Sequence, residues 1–410
     1  MGARLAPWVH GRRLWVTATT AVVLLAGGGF VTLRLAGPLP APRVVQLLPP
    51  SYVIPGQPPT LPWPGKGQAM LEVEGLGTLG SSGEVKPVPI ASVAKVMTAY
   101  LVLRDHPLSP TEDGPALTVT QEEADAYPAQ LASGQSLVPV SAGESLTERQ
   151  ALEALLLPSA NNVAQILARW DAGSPAAFVD EMNKTAKQLG MKNTKYTDPS
   201  GLDPTTVSTA IDQVALAHAA MKVPALAQIV ATPQATIPMA GVVKNVNTQL
   251  GQDGIVGVKT GSTDQAGGCL VFAADFTVAG RQLRMIGAVL GPGSAMADAF
   301  TASRTLIESV NGLLHPYRVV HAGQPVATVL GPLGRTTTLA AGADLDVLGW
   351  PGLRYRIDTA ATVPEQIAAA VGVGTLRMTT SDDAGTATTT ALQTTAALVP
   401  PNWWQRLAHF

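Results

Sequence analysis

A serine and a lysine three residues apart, at the head of a helix-forming run, constrain this chain more than any other feature. They lie in Ile90-Ala91-Ser92-Val93-Ala94-Lys95-Val96-Met97-Thr98, and Ala99-Tyr100-Leu101-Val102-Leu103 continues the run. Pro87 and Pro89 stop regular structure upstream, so Ser92 is predicted at the start of a helix. Positions i and i+3 share a helix face, which lets the Ser92 hydroxyl meet the Lys95 amine. A hydroxyl alone is a poor nucleophile. An amine desolvated enough to be neutral can take its proton. The first turn of a helix also offers N–H groups to a developing oxyanion. The pair alone is weak evidence, because a solvated Ser and Lys on a surface turn show the same spacing by chance.

Two downstream stretches strengthen it. Ser159-Ala160-Asn161 follows Pro158, 67 residues after Ser92, and Lys259-Thr260-Gly261 follows the strand-like Ile255-Val256-Gly257-Val258 a further 100 residues on. These separations leave room for a helical insert between two parts of a sheet domain. Each short motif is common; the three in this order, each in a suitable context, are not.

Composition narrows the rest. Across 410 residues the net charge is −2, so no nucleic-acid or other polyanion partner is expected. The single cysteine, Cys269, sits in Gly268-Cys269-Leu270-Val271-Phe272-Ala273 and reads as a buried core residue in a strand. Six scattered histidines show no metal-ligand spacing, so no metal or cofactor is expected.

Along the chain, residues 1–13 carry Arg4, Arg12 and Arg13 and read as a cytoplasmic N-terminus. Residues 14–36 hold an uncharged run, Leu14 to Leu33, long enough to cross a bilayer. An uncleaved anchor is the favoured reading, with a cleaved signal segment and secretion as the rival. Residues 37–66 are dense in proline and read as an extended spacer with no core-forming pattern. Gly75-Leu76-Gly77-Thr78-Leu79-Gly80 fits G-x-G-x-x-G, but no helix follows it, so it reads as a hairpin rather than a dinucleotide turn. Short strands are predicted at Ala116–Gln121 and Leu137–Val140. Thr147-Glu148-Arg149-Gln150 reads as a capping box opening a helix to Leu157. Ser159 and Asn161 then fall on a bend between two helices. Helices are predicted at Ala176–Leu189, Asp212–Met221 and Met296–Leu314, and strands at Ile255–Thr260, Cys269–Asp275 and Gln282–Leu290. Residues 315–400 read as a small β-rich domain with a loose Thr/Ala-rich stretch from Ser381 to Thr395. Residues 401–410 form an aromatic tail, placed either at a membrane interface or against the β domain.

Taken together, residues 67–314 resemble the catalytic domain of the low-molecular-mass penicillin-binding proteins, the serine D-alanyl-D-alanine carboxypeptidases. The resemblance rests on the three motifs, on Leu155-Leu156-Leu157-Pro158 before Ser159, on Met182-Asn183 with Leu189-Gly190-Met191, on Asp198-Pro199-Ser200-Gly201-Leu202-Asp203, and on Ser262-Thr263 with Ala266-Gly267-Gly268. Ala94 departs from it, standing where threonine is usual. The resemblance implies an α/β sandwich, a five-stranded antiparallel sheet between helices, plus a helical cluster. It also implies a substrate, the D-Ala-D-Ala end of a peptidoglycan stem peptide, and inhibition by β-lactams. On it, Ser92 is the nucleophile, Lys95 its base, Ser159 a proton relay and Asn161 an orienting amide. Lys259 and Thr260 bind the terminal carboxylate, and Gly261 lets the substrate backbone lie beside the strand. The N–H groups of Ser92 and Ser262 form the oxyanion hole. Arg284 resembles an arginine near the carboxylate, with an exposed strand charge as the alternative.

Two other functions share these motifs. A class A β-lactamase needs a glutamate between the second and third motifs to activate water, and the nearest candidate, Glu181, falls on the surface of an amphipathic helix. A catalytically silent penicillin-sensing or wall-binding module is the other.

Overall fold

The computed structural model describes residues 8–380 and 387–408, with side chains from residue 15. The first seven residues with Arg4, the Arg12 and Arg13 side chains, the opening of the stretch from Ser381, and His409 and Phe410 lie outside the described residues. Helix α1 spans Trp8–Ala36. Its segment Trp15–Ala36, 22 residues of mean hydropathy 1.8, has no buried part. At 1.5 Å per residue it is roughly 33 Å long, enough to cross a bilayer.

The proline-rich segment is not the coreless spacer expected. Arg43–Gln46 (β1) and Ser51–Val53 (β2) are strands, and Ile54 and Leu61 are buried. Their partners lie some 300 residues away. β1 pairs with one strand of the C-terminal sheet and β2 with another.

The central sheet has five antiparallel strands. Gln68–Val73 (β3) and Gly77–Ser82 (β4) form a hairpin, so the glycine-rich stretch is a turn, as its lack of a following helix predicts. Ile255–Thr263 (β5), Gly267–Val278 (β6) and Arg281–Leu290 (β7) complete the order β5-β6-β7-β3-β4. β6 is buried on both faces. Val271 and Ala273 point into a core shared with a helical cluster, while Leu270, Phe272 and Ala274 point into a second core shared with the C-terminal domain. Cys269 is packed here, and burial pushes its thiol up to about 12, as fits a core residue.

The helical cluster is built around α2 (Lys95–Asp105), buried at Val96, Met97, Ala99, Leu101, Val102 and Leu103. Around it lie α3 (Gln121–Ala132), α4 (Glu148–Leu156), α5 (Asn161–Ala172), α6 (Pro175–Gln188) and α7 (Ala210–Met221). Thr147 caps α4 with Gln150, as the sequence predicts. Two local expectations fail. Gln121 opens α3, which carries no buried residue and so lacks an apolar stripe. Leu137–Val140 is not a strand: Val138 is clamped by the Asn162 side-chain amide through both its N–H and its carbonyl. The strand partner of Ala116–Thr118 is instead Ser145–Thr147.

At the start of α4, Glu148 is fully buried and neither carboxylate oxygen has a hydrogen-bond partner. Desolvation pushes its pKa up to about 7, against relief from Arg149. A raised folded-state pKa means that the folded chain holds the proton longer, so stability falls as pH rises from about 4.5 to about 7. The parent should therefore lose about 2 kcal/mol between pH 5 and pH 8 that Glu148→Gln keeps. Denaturant midpoints at both pH values check this; equal losses would mean that Glu148 is solvated.

Beyond α8 (Met296–Val310) the chain forms a hairpin, His315–Val320 with Leu345–Gly349. A seven-stranded sheet follows, built from Pro325–Leu330 (β8), Thr336–Ala341 (β9), Arg354–Ala361 (β10), Gly372–Thr380 (β11) and Thr388–Thr394 (β12). The order is β1-β8-β9-β12-β11-β10-β2. Part of the stretch expected to be loose is thus an interior strand, β12. Flat, the outer strands of such a sheet would lie about 29 Å apart at ~4.8 Å per step. The chain from Gln46 to Ser51 spans at most roughly 18 Å. The sheet must therefore curl, and residues 47–50 bridge its two edges. The Gln46 side chain donates to the Ile357 carbonyl and Pro50 accepts from the Ile357 N–H, across the seam. Finally, Trp403–Ala408 (α9) packs on the end of α1, where Arg406 donates to the Leu35 carbonyl.

Candidate active site

Ala91 enters the nucleophile segment at φ 47°, and Ala91–Ala94 form one 3-10 turn that runs directly into α2. This leaves the Ser92 hydroxyl partly exposed and carries Lys95 inward to full burial. The Lys95 amine lies 2.7 Å from Ser92 Oγ, 2.6 Å from Asn161 Oδ1, 3.2 Å from the Ser200 carbonyl and 3.3 Å from Ser159 Oγ. Burial holds its pKa well below the usual lysine range, and the nearby Lys259 pushes it further down, against a smaller pull from Asp198.

That geometry decides where the protons go. A neutral amine has two N–H donors and one lone pair. Asn161 Oδ1 and the Ser200 carbonyl can only accept, so they take both donors. The lone pair is left for the hydroxyls, and Ser92 at 2.7 Å is the nearer.

Ser159 lies on the bend after α4 at φ 69°, a conformation that costs a non-glycine residue on the order of 1 kcal/mol or more. The strain aims its hydroxyl at Lys95. Asn161 is the first residue of α5, one residue further into helix than expected. Its Oδ1 faces Lys95 and its Nδ2 faces Gln135 Oε1 at 3.3 Å.

The third motif lies on β5, the edge strand nearest the Ser92 turn. Period-2 alternation puts Lys259 and Gly261 on one face. A Cβ on Gly261 would come 2.9 Å from the Ser92 nitrogen, so that face is the one against the turn. Lys259 is 1% exposed, and its amine donates to the Thr260 carbonyl at 2.9 Å. Desolvation lowers its pKa to about 7. Thr260 is buried and Ser262 exposed. The unpaired edge of β5 can accept an extended chain as an added strand.

Arg284 is not brought to this site. It clamps Asp275 through two bonds of 2.6 and 2.8 Å between β7 and β6. Lys259 pairs with Val271, four residues back along β6, so Arg284 lies roughly 13 Å down the sheet. Its cross-strand carboxylate, rather than a ligand, accounts for its position. Glu181 also lies elsewhere, on α6, paired with Lys184 at 3.2 Å.

The sequence reading assigned no role to the Ser200 carbonyl or to Gln135. Thr98 holds the Ser200 loop on α2 by donating to the Pro199 carbonyl at 2.6 Å. Asp198 shapes it by accepting from the Ser200 hydroxyl and from the Leu202 N–H at 3.0 Å. Gly201, at φ +77°, lies so near Ala91 that a Cβ would come 1.8 Å from its carbonyl oxygen. That glycine between a short polar turn and the first motif was the available signal. Gly201→Ala should cost about 2–4 kcal/mol and slow acylation at least tenfold, through displacement of the Ser200 carbonyl. Melting curves and penicillin-labelling rates check this; an unchanged labelling rate would mean that the loop does not position Lys95.

Residues 77–293, just over half of the chain, match the sequence profile of peptidase family S11, D-alanyl-D-alanine carboxypeptidase. The chain is 33% identical over 257 residues to a D-alanyl-D-alanine endopeptidase of Pseudomonas aeruginosa, covering 58% of this chain and 79% of that one. It is 36% identical over 193 residues to the D-alanyl-D-alanine carboxypeptidase DacB2 of Mycobacterium tuberculosis, covering 45% and 62%. Penicillin-binding protein 5 from Haemophilus influenzae shares its fold, with a TM-score of 0.58 at 21% identity over 83% of this chain and 99% of that one, the C-terminal β domain included. The chain belongs to the S11 family of serine-type D-Ala-D-Ala peptidases.

Proposed function

We propose that the chain is a D-alanyl-D-alanine carboxypeptidase that removes the terminal D-alanine of peptidoglycan stem peptides through an acyl-enzyme on Ser92. The observation that carries this reading is the Lys95 amine with both donors bound to pure acceptors and its lone pair turned to Ser92. Lys95 takes the Ser92 proton as Oγ attacks the penultimate carbonyl carbon. The oxyanion meets the N–H groups of Ser92 and Ser262. Ser159 passes the proton to the departing D-alanine nitrogen as the C–N bond breaks. Water then attacks the ester, Lys95 again takes the proton, and Ser92 leaves as its alcohol. A β-lactam undergoes the same attack, but its leaving nitrogen stays tethered.

A buried cation beside the edge strand supports an exo-acting enzyme, because Lys259 and Thr260 offer donors to a chain-terminal carboxylate. A second reading, cleavage inside cross-linked peptides, is supported by the likeness to the Pseudomonas endopeptidase. Mass spectrometry with a diacyl-Lys-D-Ala-D-Ala peptide and a cross-linked muropeptide dimer decides between them. Release of D-alanine from the first should be faster; cleavage of the dimer alone would replace the carboxypeptidase reading.

We also propose that α1 anchors the enzyme, with the catalytic domain outside the cytoplasm. The exposed apolar segment Trp15–Ala36 supports this. Membrane fractions from the native host should hold the protein with residues 14–36 intact. A freely soluble protein beginning after residue 36 would make the segment a cleaved signal.

A further inference from the structure

A cavity of about 480 Å³ opens beside the catalytic residues, between α3, α5 and the Ser200 loop. A short chain of bonds leads to it from the nucleophile. Lys95 bonds both Ser92 and Asn161, and Asn161 donates to Gln135 on the cavity wall. A second hollow of about 310 Å³ continues it along α3 and α5, with Gln130 and Gln165 lining both. Several polar groups here have nothing to bond. The Gln130 side-chain oxygen is shut off from solvent without a donor. The partly buried Gln165 carboxamide has no partner among the described residues. Asp203 accepts from Thr205 through Oδ1 and leaves Oδ2 free. Asp198 is bonded only by neutral donors, from Ser200, Leu202 and Thr206. No lysine or arginine lines this cavity, so neither carboxylate has a cation paired with it. Unpartnered polar groups carry a cost that an occupant with the right donors removes. The wall formed by α3 buries no side chain and is tied at its Glu123 end, which Arg169 holds at 2.6 Å.

We infer that this cavity receives the side chain of the residue preceding D-Ala-D-Ala and selects one ending in an ammonium, the diamino acid of an un-cross-linked stem peptide. This rests on the carboxypeptidase reading above. The free Asp203 oxygen supplies the charge, and the Gln130 and Gln165 oxygens accept N–H donors. Leu202, exposed at the same mouth, offers apolar surface to the methylenes. An anion is repelled by both carboxylates, and a neutral side chain gains nothing from them. Acylation of the amine in a cross-link abolishes the ammonium, so the subsite discriminates against stems already joined.

The test uses the full chain in detergent and two peptides of equal length: α-acetyl-Lys-D-Ala-D-Ala with its side-chain amine free, and its norleucine counterpart. In the parent, kcat/KM for D-alanine release should favour the lysine peptide at least tenfold. That ratio should shrink with salt, since Asp203 is exposed. In Asp203→Asn, which keeps an acceptor for Thr205, it should fall to within about threefold of one. Labelling of Ser92 by penicillin reports that the variant folds; if it does not, Gln165→Met, with the same expected loss of preference, decides instead. A parent that does not distinguish the two peptides, or a folded variant that keeps the parent's ratio, would overturn the proposal. Protection of Ser92 from labelled penicillin by each peptide gives the same comparison without turnover. It therefore separates failure of this subsite from failure of the carboxypeptidase reading.

Discussion

Replacing Lys95 by methionine should slow acylation of Ser92 by labelled penicillin about a thousandfold or more, within the range a positioned general base contributes. The two side chains are similar in length, so the buried slot stays filled. Desolvation is relieved, because a buried amine is removed, but Asn161 Oδ1 and the Ser200 carbonyl each lose a donor. The melting temperature should consequently move little while the chemistry fails. The pH dependence separates this from a packing effect. Lys95 works as a base only when neutral, and burial, with Lys259 beside it, favours that form. In the parent, acylation should rise with pH as Lys95 loses its proton; in Lys95→Met that rise should vanish. Stopped labelling reactions at several pH values, resolved on gels, measure both. A variant that keeps most of its rate, or keeps the parent's pH profile, would show that another group takes the proton.

Lys259→Ala should lower kcat/KM for an acid-terminated peptide by about 3 kcal/mol, roughly a hundredfold, the scale of one charge-assisted hydrogen bond in a desolvated site. Lys259→Arg should rescue only partly, because the fork presents its donors differently. A C-terminally amidated peptide should be poor for the parent and lose little more in the variant. The sign of the pH effect follows from a pKa of about 7. Below that value Lys259 is an ammonium and, in the proposed role, would bind a carboxylate. Above it, kcat/KM for the acid peptide should fall, while the amide peptide should show no such fall. Burial does most to keep Lys95 neutral, and the same charge adds to it, because two ammoniums in one buried site repel. Equal losses for acid and amide peptides would place Lys259 in another role, such as tuning Ser159.

Most of the site was legible because its chemistry is local. Ser92 and Lys95 are one turn apart, the Thr147 cap signals α4, and Pro158 marks the bend that carries Ser159. What the sequence hid depends on pairing over long distances. Arg284 reads as an available cation until Asp275 is seen across the strand. The Ser200 carbonyl is a backbone atom that no residue pattern advertises. β12 looked loose because its buried positions include threonines; Thr390 and Thr394 bury their hydroxyls by donating to the Ala343 and Ala368 carbonyls. α3 was missed for the opposite reason: it buries nothing, and only its Thr120–Glu123 capping box marks it.

The strands at 43–46 and 51–53 change what a soluble version of this enzyme can be. A cut placed at residue 66, where the proline-rich segment ends, would strip one strand from each rim of the C-terminal sheet. It would expose two rows of unpaired backbone groups, an invitation to edge-to-edge aggregation. A cut between Ala36 and Arg43 would spare both. In the anchored form proposed above, tension arriving from the bilayer would not simply straighten a coil. It meets the β1–β8 ladder, where antiparallel bonds must break together in shear, so the stretch between membrane and catalytic domain behaves as a strap sewn into the domain at the far end of the chain.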